Sequence, residues 1–253
     1  MEKINIQNRK NKKIVLILEK SPNSKGLVFI AHGLGGHKEQ PHIQLMALAF
    51  KEAGYSVIRF DFTNSIGESD GLLEDATNTG YNEDLEDVIE WASKQKFYQE
   101  PFILVGHSLG AMASAFLAEK HPEKVKALAP IGTVVSWTLS RETKSPEDLD
   151  DWKKKGVREW TSHSGKIKRL KWAFVEDRMK YDLLKEVDKL TMPVLLIVGS
   201  EDTSTPVEHQ KVFYEKLPGR KELHIIKGAE HTFREEKHLK KLKKYLDDWI
   251  KTL

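Results

Sequence analysis

The run Phe102-Ile103-Leu104-Val105-Gly106-His107-Ser108-Leu109-Gly110 constrains this chain more than any other segment. An apolar stretch short enough for one buried strand stops at a Gly-x-Ser-x-Gly. The small residues Ala111-Met112-Ala113-Ser114-Ala115-Phe116-Leu117-Ala118 follow and predict a helix. Strand, sharp turn, serine and helix together form the setting known as a nucleophile elbow. A serine can stand clear of the backbone on such a strained turn only if its neighbours lack bulk, which Gly106 and Gly110 provide. The turn also sets Ser108 at a helix N-terminus, where free N–H groups and the helix dipole favour developing negative charge.

The chain carries its own control. Gly67-Glu68-Ser69-Asp70-Gly71 matches the same pattern, so the pattern alone decides little. Ser69 follows the polar Thr63-Asn64-Ser65 and leads into Leu72-Leu73-Glu74-Asp75, with no helix of small residues behind it. The expectation at 67–71 is a loop held by its glycines.

Elsewhere, apolar strand runs alternate with helical periodicities. Ile4–Ile6 and Ile14–Leu18 predict two opening strands around a polar turn. Further strands are expected at Leu27–Ala31, Tyr55–Phe60, Phe102–Val105, 125–131, Val194–Val198 and 222–226. Helices are expected from Ile43 to Phe50 (stopped by Gly54), from Asp84 to Gln95, and over 109–120, 206–217 and 235–251. The strand runs are continuously apolar, which signals a mostly parallel sheet covered on both faces. Right-handed crossovers make it doubly wound, with functional loops at the strands' C-terminal ends.

The alternation breaks at 136–190. This segment is highly charged, contains Gly156 and Gly165, and holds Trp137, Trp152, Trp160 and Trp172 among the chain's 6 tryptophans. The expectation is an α/β core over 1–135 and 191–253, with 136–190 inserted on the functional edge as a small cap. The rings either pack the cap onto the sheet or, for Trp137, Trp160 and Trp172, line an apolar acyl or aryl pocket.

Composition removes several classes. The 253 residues suit one large domain, and a net charge of +3 is too small to argue for nucleic acid or an anionic membrane. The lysines between Lys237 and Lys244 interleave with Leu239, Leu242, Leu246 and Ile250, the pattern of a solvated helix face. With 0 cysteines, neither disulfides nor a thiol nucleophile is available. No apolar stretch approaches the ~20 residues of a membrane span. The only apolar run near the N-terminus, Ile14–Leu18, is too short for a signal peptide, so cytoplasmic residence is expected.

A serine hydroxyl needs a base, and the base needs an orienter. Gly199-Ser200-Glu201-Asp202 follows one late strand and Gly228-Ala229-Glu230-His231 follows the next, so the order is Ser, Asp, His. His231 is the expected base for Ser108, and Asp202 is favoured over its neighbour Glu201 as the orienter. Among the 10 histidines, His32, His37, His163 and His224 lack a matching orienter, and His107 is expected to point into the fold. An oxyanion needs two N–H donors. These are expected at Leu109, after the serine, and at Leu34 in His32-Gly33-Leu34-Gly35-Gly36. That loop contains neither Gly-Lys-Ser/Thr nor a full Gly-x-Gly-x-x-Gly, so phosphate cradling is excluded.

Taken together, 32–36, 106–110, 199–202 and 228–231 resemble the α/β-hydrolase superfamily across nearly the whole chain. Arg59-Phe60-Asp61-Phe62 followed by 67–71 is similar to the carboxylesterase branch that includes bacterial cinnamoyl (feruloyl) esterases. Leu109 departs from that branch, which often carries glutamine there. The resemblance implies an α/β-hydrolase fold and cleavage of a small-molecule carboxylic ester through an acyl-enzyme on Ser108, without metal or organic cofactor. Monoacylglycerol lipases, lysophospholipases, thioesterases and serine aminopeptidases share this machinery. A non-catalytic ligand-binding protein of the same fold is the alternative outside enzymes. No nucleic-acid partner is expected, and the sequence leaves a homodimer open.

Overall fold

The computed structural model describes residues 1–161, 165 and 167–253; His163 lies outside the described residues. The chain opens with the antiparallel hairpin β1 (Glu2–Gln7) and β2 (Lys13–Glu19), followed by β3 (Leu27–Ala31), α1 (Pro41–Glu52) and β4 (Ser56–Phe60). Then come α2 (Asn78–Ser93), β5 (Phe102–His107), α3 (Leu109–Lys120) and β6 (Val125–Ile131). The segment that interrupts the alternation contains α4 (Trp137–Glu142), α5 (Pro146–Lys155), β7 (Val157–Thr161), β8 (Ile167–Lys171) and α6 (Ala173–Arg178). The chain closes with β9 (Val194–Gly199), α7 (Val207–Lys216), β10 (Lys221–Ile226) and α8 (Glu236–Ile250).

The main sheet has 8 strands in the order β1-β2-β4-β3-β5-β6-β9-β10. The β1–β2 and β2–β4 pairs are antiparallel, and every later pair is parallel. Continuous apolarity has the expected cause, because the central strands bury both faces. In β3, Leu27, Phe29 and Ala31 join one core with α2 and α3, while Val28 and Ile30 join the other with α1 and α8. Strand order reverses between β3 and β5, so the loops after these strands part and leave a crevice at the sheet's C-terminal edge.

Two local outcomes differ from the sequence expectation. The helix expected from Asp84 begins at Asn78, because the Thr77 side chain caps it by accepting from the Gly80 N–H. The polar first turn Asn78-Thr79-Gly80 hides this start from an apolar-periodicity reading. Within 136–190, β7 and β8 form an antiparallel pair of their own. Buried Trp152 ties it to α5 by donating from Nε1 to the Leu170 carbonyl at 2.9 Å.

Candidate active site

Ser108 sits between β5 and α3 with φ 55° and ψ −116°, a left-handed backbone that costs energy for any residue with a Cβ. The flanking glycines make the turn possible by absence. A Cβ on Gly106 would stand 2.5 Å from both the Ala111 Cα and the Gly110 carbonyl oxygen. One on Gly110 would stand 2.4 Å from the His32 carbonyl oxygen, and one on Gly33 would stand 2.9 Å from the Ser108 Cβ. Backbone therefore packs on backbone at Gly106 and Gly110, and the Gly33 backbone lies close against the Ser108 Cβ.

The late loops deliver two more side chains. His231 Nε2 lies 2.9 Å from Ser108 Oγ, and His231 Nδ1 lies 2.7 Å from Asp202 Oδ2. A carboxylate only accepts, so Nδ1 carries the proton and Nε2 is left to accept from the serine hydroxyl. Asp202 is buried, and burial alone would raise its pKa. Its pairing with His231 and the donors from Thr205 outweigh that and hold the carboxyl below the ordinary range. Oδ1 accepts from the Ser204 and Thr205 N–H groups at 2.9 and 2.8 Å, which locks the carboxylate plane.

Thr205 went unnoticed in the sequence. Its hydroxyl lies 2.9 Å from Asp202 Oδ2, 3.0 Å from the Gly132 carbonyl and 3.3 Å from His231 Nδ1. The available signal was Asp202 followed by Ser204 and Thr205, a spacing that favours side-chain-to-backbone turns. Glu201 is exposed and contributes its N–H to the Ala229 carbonyl at 3.0 Å.

The loop after β3 closes as a turn, with the Gly36 N–H donating to the Gly33 carbonyl at 3.0 Å and Gly35 at φ 61°. Among the described residues, neither the Leu34 nor the Leu109 N–H donates to a backbone acceptor. Lys168 on β8 donates from Nζ to the Gly35 carbonyl at 2.7 Å, so the hairpin of the 136–190 segment touches this loop.

The other candidates have different surroundings. Trp137 opens α4, Trp160 lies on β7, and Trp172 precedes α6 with its ring edge-on to Trp152 at 5.6 Å. All three are half-buried against the core on the α2–α3 side. Ser69 is buried and fully engaged: its hydroxyl donates to the Asp61 carbonyl at 2.6 Å and accepts from the Val15 N–H at 2.9 Å. His32 is a core histidine, bonded to the Gly33 carbonyl and accepting from the Phe62 N–H, and burial pushes its pKa down to about 4. His224 stacks on Tyr245, with ring centroids 4.2 Å apart. Among the described residues, no cluster of three or more His, Asp or Glu could hold a metal ion.

A family model described as alpha/beta hydrolase fold matches residues 26–161, more than half of the chain. The chain belongs to the α/β-hydrolase family. A second model, described as serine aminopeptidase S33, matches residues 177–238 of this hydrolase. Its solved neighbours include Est1E from Butyrivibrio proteoclasticus with bound ferulic acid, at TM-score 0.84 and 25% identity over 98% of both chains. Mouse alpha/beta hydrolase domain-containing protein 10 superimposes at TM-score 0.82 with 22% identity, covering 100% of this chain and 99% of that one. The palmitoyl-protein thioesterase ABHD10 of Bos taurus, a protein named as mitochondrial, is 27% identical over 208 residues. That alignment covers 80% of this hydrolase and 66% of the bovine protein, so the chain spans about two thirds of that relative's length. Among the described residues, no helix is long and apolar enough to cross a membrane.

Proposed function

We propose that this α/β-hydrolase cleaves carboxylic esters of small to medium apolar or aromatic acyl groups through an acyl-enzyme on Ser108. The observation that carries the reading is the unbroken Asp202–His231–Ser108 hydrogen-bond chain. Ser108 Oγ attacks the ester carbonyl carbon while its proton passes to His231 Nε2. Asp202 keeps the imidazole in the Nδ1–H tautomer and stabilises the imidazolium. The tetrahedral oxyanion takes the Leu34 and Leu109 N–H donors. Its collapse breaks the bond to the leaving alcohol, which collects the proton from Nε2. Water then repeats the sequence on the acyl-enzyme, releasing the acid and restoring the serine.

In this reading 136–190 is the cap, and Trp137, Trp160 and Trp172 border the acyl pocket. The enzyme acts on a small-molecule ester in the cytoplasm, as a monomer or homodimer, and the steps above draw on its own side chains and backbone N–H groups together with water. The thioester reading rests on a specific observation, the similarity to relatives named palmitoyl-protein thioesterases. The chemistry differs only in the leaving group, a thiolate in place of an alkoxide.

The test is a panel of nitrophenyl esters of rising acyl length, methyl ferulate, a monoacylglycerol and a palmitoyl thioester. It is run on the wild-type enzyme and on Ser108→Ala. The proposal expects turnover of the short or aromatic esters, labelling by a fluorophosphonate, and loss of both in the variant. Full activity in Ser108→Ala refutes the serine mechanism. A kcat/KM ranking led by the palmitoyl thioester replaces the ester reading with the thioester one.

A further inference from the structure

His107 is part of the elbow sequence, yet its side chain turns away from the crevice and is buried. Its Nε2 lies 2.8 Å from the backbone carbonyl of His231. A carbonyl only accepts, so Nε2 carries the proton, and a neutral ring then has a bare Nδ1. That Nδ1 has no partner among the described residues. The ring lies between two other imidazoles, with centroids 4.5 Å from His42 on α1 and 4.6 Å from His231.

The loop carrying His231 is held mainly on its approach. The Ala229 N–H bonds to the Ile226 carbonyl, the Gly228 N–H bonds to Ser200 Oγ, and the Ala229 carbonyl accepts from Glu201. At residue 231 itself, the anchor on the carbonyl comes from His107. Because His107 precedes Ser108 at the end of β5, the same rigid strand end carries the nucleophile and grips the backbone of its base.

We propose that His107 is a positioning residue for the base: its Nε2–H holds the His231 carbonyl and so sets the imidazole's distance and angle to Ser108. This rests on the serine-hydrolase reading above. The surroundings suit the task. Burial first, then the proximity of His42, His231 and His32, push the pKa of His107 well below the ordinary histidine value. The titratable groups facing it are those three rings, from α1, the base loop and the end of β3. His42, itself buried, is pushed down to about 3. A neutral ring keeps one donor on a fixed nitrogen, and it adds no cation beside His231 when that residue takes its proton.

The geometry also dictates which substitutes can work. A glutamine amide nitrogen reaches the place of Nε2, whereas an asparagine amide reaches only the place of Nδ1. The experiment compares His107→Leu, His107→Asn and His107→Gln by steady-state kinetics, circular dichroism and Tm. The expectation for Leu is a loss in kcat of about 10- to 100-fold with little change in KM, as for a catalytic group misplaced by a fraction of an ångström. Asn should resemble Leu, and Gln should recover most of the lost kcat. A folded Leu variant with a kcat close to the parent value overturns the inference. So does a Gln variant no better than Leu, which would mean that ring packing alone matters.

If the Leu variant fails to fold, nitrogen-detected NMR of the intact enzyme decides. The inference requires a neutral Nε2–H tautomer at His107 across about pH 5 to 8, the range in which exposed histidines titrate. An Nδ1–H tautomer, or a ring that titrates in that range, overturns it. Ser108→Ala separates the two readings: an active Ser108→Ala enzyme ends the serine mechanism. An inactive one beside a fully active His107→Leu ends only the positioning role.

Discussion

Two segments of this hydrolase share the pattern Gly-x-Ser-x-Gly and lead opposite lives. At 106–110 the glycines let backbone crowd in behind the serine and leave its hydroxyl free for His231. At 67–71 the space at Gly67 is filled by a carboxylate, since a Cβ there would meet the Asp61 side chain at 2.1 Å. Asp61 collects the Lys38 and Glu68 N–H groups and the buried Lys38 ammonium, while Ser69 spends its hydroxyl on backbone partners. The first motif stores backbone strain and keeps a polar group available. The second engages the serine hydroxyl on both sides and stabilises a loop. A shared pattern constrains how close atoms come, and the neighbours decide what that closeness is for.

The contrast can be broken most easily at its catalytic end. Ser108→Ala should lower kcat by about 10⁴ or more while Tm stays near the parent value, and adding His231→Ala should cost little further. Ester turnover and thermal melts of the single and double variants check this. Asp202→Asn should cost on the order of 10⁴ in kcat, because an amide no longer enforces the Nδ1–H tautomer. Glu201→Gln, its exposed neighbour, should leave kcat near the parent value, and an equal loss at both would undo the assignment.

At the other motif the effects should appear in stability. Asp61→Ala leaves the Lys38 ammonium buried with only Glu68 facing it, and should destabilise by about 3 kcal/mol in urea melts. Burial alone would raise the Asp61 pKa, but the Glu68 N–H and the two Lys38 donors hold it below the ordinary value. A carboxyl lowered in the folded state contributes fully above its unfolded value of about 3.9 and loses that contribution as pH falls through the lower folded value. The parent should therefore lose stability at the acid end more steeply than Asp61→Ala, and parallel pH–stability curves would contradict this. Ser69→Ala, the mildest change, leaves the Val15 N–H and Asp61 carbonyl without their partner. It should cost about 1–3 kcal/mol with kcat preserved. A large loss of kcat in a folded Ser69→Ala enzyme would erase the distinction between the two motifs.

Sequence alone settled whatever depends on near neighbours. Phe102 to Gly110 specifies strand, turn and helix because steric exclusion and apolar periodicity act over a few residues. The order Ser108, Asp202, His231 follows from loops that each end a predicted strand. Other features were beyond it because they join residues far apart in the chain. Thr205 against Gly132, Lys168 against Gly35 and His107 against His231 are meetings of polar groups that carry no period. The β7–β8 hairpin was hidden by its own charge, since strands outside a core need no continuous apolar run. Hydrophobic pattern and backbone sterics are local codes, so the elements and the serine's turn were legible. Hydrogen-bond partnership is a property of the folded neighbourhood, so the partners of Ser69, Asp202, Thr205 and His107 became visible only in three dimensions.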